Sequence, residues 1–109
     1  MNISLDPHPL LDAAILHTTW PRPLGEIETL ADLDVWFSTA AQPPIDRPEA
    51  LKSVVRDLLR HGGFKPSGRS KPASEYLVGA VARNAMSSIN AAVDCCNVAS
   101  LWSGLPISV

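Results

Sequence analysis

Cysteine is nearly absent from this 109-residue chain, and the two present, Cys95 and Cys96, are adjacent. Neighbours on a helix point in different directions, so a bridge between them would be strained. No C-x-x-C and no Cys/His spacing suits zinc, so no metal is expected. The pair reads as reduced, partly buried side chains in a cytoplasmic protein. Long apolar runs are also missing: none approaches the roughly 18 residues that a membrane helix needs. No basic stretch leads into an apolar one near the start, which argues against a secretory signal. No glycine-rich phosphate loop of the Walker or dinucleotide type occurs, and no cofactor is expected. Positive charge is missing from the first part. Up to Asp46 the only Lys or Arg is Arg22, against seven acids.

What is present follows that gap. From Lys52 to Lys71 six basic side chains stand against one acid, Asp57. This asymmetry points to an anionic partner such as RNA, or to a solvated helix face and loop. Hydrophobic residues make up 46% and charged residues 18%, a globular balance for one domain at most.

Along the chain, residues 1–10 read as an extended arm, because Pro7 and Pro9 exclude a helix. Ala13 to Trp20 is short and β-branched toward its end, and Pro21 and Pro23 stop it, so a strand is expected. Glu26 to Ser38 carries Leu30, Leu33 and Phe37 at helical spacing and predicts a short helix running into a loop. Arg47 to His61 is the clearest helix, with Asp46 as its expected N-cap and Gly62-Gly63 as its stop. Its expected buried stripe is Leu51, Val54, Val55, Leu58 and Leu59. Lys52, Arg56 and Arg60 recur every four residues on another side, facing solvent or RNA. Phe64 to Pro72 is a loop carrying Lys65, Arg69 and Lys71. Ser70 or Ser74 could cap a helix from Ala73 to about Arg83. A last helix spans Ala91 to Trp102, ended by Gly104. Pro106 to Val109 looks like the start of a strand.

Conventional hydrolytic chemistry would need a nucleophile with a base, paired carboxylates, or a metal. His8, His17 and His61 have no diagnostically spaced partner, and His61 at a helix end suits the helix dipole. The last helix is more informative. An acid and an amide one turn apart among small residues need partners if buried. Asp94 and Asn90 either bind backbone N–H groups of a neighbouring loop or face a ligand. Cys96, Asn97 and Ser100 could together line a polar-edged pocket. Glu75 and Arg83, at the two ends of one helix, read as structural polar groups.

The order of these motifs resembles the editing (B3/B4) domain of the phenylalanyl-tRNA synthetase beta subunit, and more closely the free-standing proteins built on it. The matching residues are Gly63-Phe64-Lys65-Pro66, Ser74-Glu75-Tyr76-Leu77, Ile89-Asn90 through Val93-Asp94 to Cys96-Asn97, Ser100-Leu101 and Gly104-Leu105-Pro106. The match covers residues 47–109 well, and the strand-containing residues 1–46 only loosely. The resemblance implies an α+β fold, with three main helices on a small mixed sheet, forming the amino-terminal half of an editing domain. It implies a tRNA 3′ end as partner and hydrolysis of a wrongly attached tyrosine, a second-site answer to a discrimination that binding alone cannot supply. The family reaction is thought to use a positioned water and the terminal ribose hydroxyl, without a side-chain base. Cys96, Asn97, Ser100 and Ser108 would line the substrate pocket, while Lys52, Arg56, Arg60, Lys65, Arg69 and Lys71 would contact tRNA. Two departures stand out. Cys96 replaces a threonine and Ser108 a histidine of the bacterial synthetases. The half that supplies the tyrosine-recognising glutamate is not represented, so the chain alone is expected to be inactive. It is expected to pair with that half or with a second copy, or to be a non-catalytic RNA-binding or protein-interaction module.

Overall fold

The computed structural model describes residues 1–108. Helix accounts for 41% and strand for only 2%, with no sheet among the described residues. The α+β expectation, helices packed on a mixed sheet, is therefore wrong for this chain. Of the two segments expected as strands, Ala13–Trp20 has no ladder partner among the described residues, and its Leu16 is 86% exposed. Residues 106–108 are also irregular and exposed, and Val109 lies outside the described residues. A β-branched run is only a candidate strand until a second backbone takes up its N–H and C=O groups. The single antiparallel bridge among the described residues joins His8 to Leu11, which is a tight turn in the arm.

Four helices carry the structure: α1 (Leu33–Trp36), α2 (Leu51–His61), α3 (Ala73–Ala82) and α4 (Ala91–Ser103). The helix expected over 26–38 is reduced to a short 3-10 turn, Leu24–Glu26, and the single turn of α1. The break falls at Asp32, whose φ of 61° is left-handed, a conformation aspartate tolerates better than most residues. Leu33 and Phe37, two of the three stripe residues, still reach the core.

The start of α2 also differs from expectation. Asp46 does not cap it; the Leu51 amide bonds the Pro48 carbonyl at 3.1 Å, so a turn at Pro48-Glu49-Ala50 leads into the helix. Its end follows the sequence: Gly63 adopts φ +84°, and the Phe64 amide returns to the Leu59 carbonyl at 3.0 Å. Neither Ser70 nor Ser74 caps α3, which begins directly after Pro72 without a side-chain cap. Helix α4 is capped at both ends. The Asn90 Oδ1 accepts from the Val93 amide at 3.0 Å, and Gly104 closes the helix at φ +75°.

The packing centres on α3 against α4. Val81, Val98 and Leu101 meet Leu33 and Phe37, and Trp36, Leu77, Met86 and Trp102 pack around them. Trp36 and Trp102 meet edge to face at 6.0 Å, and the Trp102 indole N–H is buried without an acceptor among the described residues. From α2 only Val55 is fully buried; Leu51, Leu58 and Leu59 are half-buried and Val54 is exposed. The result is a thin core. The accessible surface is 8278 Å², against about 5,900 Å² for a compact monomer of this mass. The radius of gyration is 15.3 Å, against about 13 Å for a compact domain of this length.

Gly104 is where the end of α4 meets the approach to α2. A Cβ there would lie 2.9 Å from Arg47 Cδ and 3.1 Å from Leu51 Cδ2. The Arg47 guanidinium also donates to the Leu101 carbonyl. Gly104→Ala therefore carries both a left-handed penalty and a steric one. Chemical denaturation should show a loss of about 1–3 kcal/mol, whereas Gly25→Ala, in open space, should lose far less.

Candidate nucleic-acid interface and ligand cleft

Glu75 sits in the first turn of α3 and faces α2. It receives a two-point bond from Arg56, Nε to Oε2 at 2.9 Å and Nη2 to Oε1 at 2.8 Å. Lys52 adds a second cation, with Nζ 3.2 Å from Oε1. The Arg56 hydrogen bonds hold the Glu75 carboxyl below the usual carboxylate range, with Lys52 assisting against partial burial. The same bonds raise the Arg56 guanidinium. Arg60, one turn further on, pairs with Asp57 at 2.6 Å. The basic stripe of α2 is thus largely occupied within the chain.

The following loop is different. Lys65, Arg69 and Lys71 make no ion pair among the described residues. The loop is fixed by its backbone: Pro66 and Pro72 are buried, Gly68 is left-handed at φ +57°, and the Tyr76 hydroxyl donates to the Gly68 carbonyl at 2.8 Å. Phe64 stands 61% exposed at its start. With Arg56, Arg60, Lys65, Pro66 and Ser67 it lines a shallow concavity of about 310 Å³. A deeper cleft of about 340 Å³ lies between α2 and α3, its walls including Arg47, Leu51, Val55, Lys71, Ser74 and Glu75.

The residues expected to line a pocket on α4 lie apart from the cleft. Ser100 is sealed, its hydroxyl donating to the Leu105 carbonyl at 2.6 Å. Cys96 and Asn97 are half-buried and Ser108 is exposed. None of the four lines the cleft or the three shallower concavities. Asp94 is fully buried and accepts from the Ser88 hydroxyl at 2.6 Å and the Ile89 amide at 2.9 Å. With Asn90 on Val93, it tethers the entry to α4 from both sides. Arg83 is exposed and makes no ion pair among the described residues.

Partial desolvation, with Cys96 and Asp94 beside it, pushes the Cys95 thiol up, away from a reactive thiolate. No group of three metal-ligating side chains occurs among the described residues. Arg47, Ser74 and Gly104 carried no signal of a cleft in the sequence, because residues 47, 74 and 104 meet only through the packing of separate segments. Gly104 was legible as a helix stop and nothing more.

The Glu75 arrangement has a pH signature. A carboxyl depressed in the folded state stabilises fully above its unfolded value, about 4.3. That contribution is lost as pH falls through the lower folded value, because the unfolded chain binds the proton first. The stability difference between the native chain and Glu75→Gln should therefore be constant above about pH 5 and shrink below about pH 4.3. Urea midpoints measured across that range check it. Compared with protein-family models, curated proteins and solved structures, the chain finds no match.

Proposed function

We propose that the chain is a cytoplasmic RNA-binding module that receives a single-stranded RNA end on the Phe64–Lys71 loop. The tRNA 3′ end is the ligand suggested by its resemblance to the editing domain. One observation carries the reading: an exposed phenylalanine on a fixed loop, beside cations that make no ion pair among the described residues. Bases stack on such a ring whatever their sequence, while Lys and Arg track the phosphates. Hydrolysis is not part of the reading for this chain alone, since Ser100 is sealed and Cys96, Asn97 and Ser108 share no concavity with it.

Fluorescence anisotropy with labelled tRNA and with a short oligonucleotide ending in CCA tests the binding. Affinity should fall steeply with salt, and removing Lys65 or Arg69 should each lower the slope by about 1. Phe64→Ala should cost about 1–3 kcal/mol of binding and leave the salt slope unchanged. Salt-independent binding, or equal affinity in Phe64→Ala, would remove the reading. Incubation with mischarged tRNA should release amino acid no faster than buffer.

A second reading rests on the surface area. Ile3, Leu5, Leu10, Leu11, Ile15 and Leu16 are all exposed on the arm and the segment that follows it. The excess over a compact monomer, about 2,400 Å², exceeds what each partner of a standard protein interface buries, about 800 Å². Another polypeptide, either a second copy or a further half of an editing-type domain, would cover this face. Light scattering of the purified chain should show mass rising with concentration. A constant monomer mass with a sharp cooperative melt would count against it.

A further inference from the structure

The first residues of the arm carry a pattern that neither the core nor the RNA loop uses. Met1-Asn2-Ile3-Ser4-Leu5-Asp6 alternates apolar and polar side chains, and residues 1–7 contain no helix or turn. Laid out straight, such a segment presents Met1, Ile3 and Leu5 on one side and Asn2, Ser4 and Asp6 on the other. All three apolar side chains are exposed. The His8 ring meets the His61 ring edge to face at 4.9 Å, which sets the arm beside the end of α2. No hydrogen bond or ion pair joins residues 1–7 to a helix among the described residues.

A groove of matching character lies close by, between the second half of α2 and the start of α3. It holds about 320 Å³, and its walls include Val55, Leu58, Leu59, Phe64 and Pro72, with Lys71 as the one charged residue. No arm residue lines it. Charge and area identify its occupant. The seven acids up to Asp46, Asp6 among them, make no ion pair among the described residues, and neither do Lys65, Arg69 and Lys71. Opposite charges left apart within one chain meet when the acidic part of one copy faces the basic part of another. The surface in excess of a compact monomer, about 2,400 Å², is ample for the roughly 800 Å² that each partner of a standard interface buries. A second copy brings both an arm and a groove, so each contact is made twice about a two-fold axis. With His8 held at His61, residues 1–7 reach up to roughly 23 Å. That exceeds the length of α2, about 16 Å, and suffices to enter the groove of an adjoining copy.

We infer that the chain forms a reciprocal dimer in which Met1, Ile3 and Leu5 of each copy fill the groove of the other, and Asp6 meets Lys71 across the interface. This rests on the reading above that another polypeptide covers the arm; it selects a second copy and gives the arm its seat. Phe64 borders both this groove and the concavity assigned to RNA, so the arm and an RNA end compete for that ring.

The test is light scattering of the full chain across protein concentration, with Leu5→Asp, Asp6→Lys and Lys71→Glu. All three positions are exposed, so each variant should keep the native melting temperature. The native chain should approach twice the monomer mass, with half-conversion below about 100 μM. Leu5→Asp should raise that concentration at least about 10-fold. Asp6→Lys and Lys71→Glu, taken singly, should each raise it by about 10-fold, because like charges then face each other at both contacts. Mixing these two charge variants in equal amounts should restore the native dimer, since the mixed pair regains opposite charges at both contacts. An arm docked within its own chain cannot give that rescue. A native chain that stays monomeric at 100 μM would overturn this inference and the second reading together. A dimer indifferent to Leu5→Asp, charge variants that mixing does not rescue, or a mass climbing past two copies would overturn the inference alone.

Discussion

The contact between Arg56 and Glu75 governs how this molecule is put together. Helix α2 gives the interior a single fully buried side chain, Val55, so hydrophobic burial alone holds it weakly to α3 and α4. The two-point guanidinium–carboxylate bond, with Lys52 alongside, supplies the orientation that a fuller core would otherwise set. It is partly shielded, which reduces the screening that makes open surface pairs nearly worthless. At the other end of α2, Arg47 reaches the Leu101 carbonyl and Gly104 admits it. The cleft between α2 and α3 exists because polar pins, not interdigitated side chains, hold these helices at that distance.

The same pins decide which charges are available. A stripe of three cations on α2 invites an RNA-facing interpretation, yet Lys52 and Arg56 serve Glu75, and Arg60 serves Asp57. Of the six cations from Lys52 to Lys71, the three that make no ion pair among the described residues lie on the loop after α2, at Lys65, Arg69 and Lys71. Separating a spent cation from a free one needs the partner's position in space, which sequence spacing does not give. Lys52 and Arg56 lie 23 and 19 residues before Glu75.

Much of the helical part was legible because local chemistry determines it. Asn90 before Ala91, Gly104 after Ser103, and Gly62-Gly63 after His61 are end signals that act within one turn, and α4 and the close of α2 follow them. Leu33 and Phe37 reach the core even though the helix drawn through them shrinks to one turn, since burial selects the side chains and not the backbone form. The sheet was not legible in the same way. Ala13–Trp20 has strand-like composition, but a strand is completed by a second backbone, and none of the described residues provides one. The sealing of Ser100 was not legible for a related reason. Small residues on α4 permit close approach, and Ser100 uses that closeness to turn inward onto Leu105.

The loop from Phe64 to Lys71 shows how binding and folding meet in this chain. An exposed aromatic ring on a mobile loop would lose much of its stacking energy to the entropy of being ordered. Here that ordering is done by folding. Buried Pro66 and Pro72 restrict the backbone, left-handed Gly63 and Gly68 set its reversals, and Tyr76 clamps Gly68 to α3. Tyr76 neighbours Glu75, so the turn of α3 that holds α2 also holds the loop. Loss of the Arg56 contact would disturb the spacing of α2 and α3 and, through it, the support beneath Phe64. Stability and binding are thus coupled through the first turn of α3, where a carboxylate, a phenol and a buried hydroxyl occupy three successive positions.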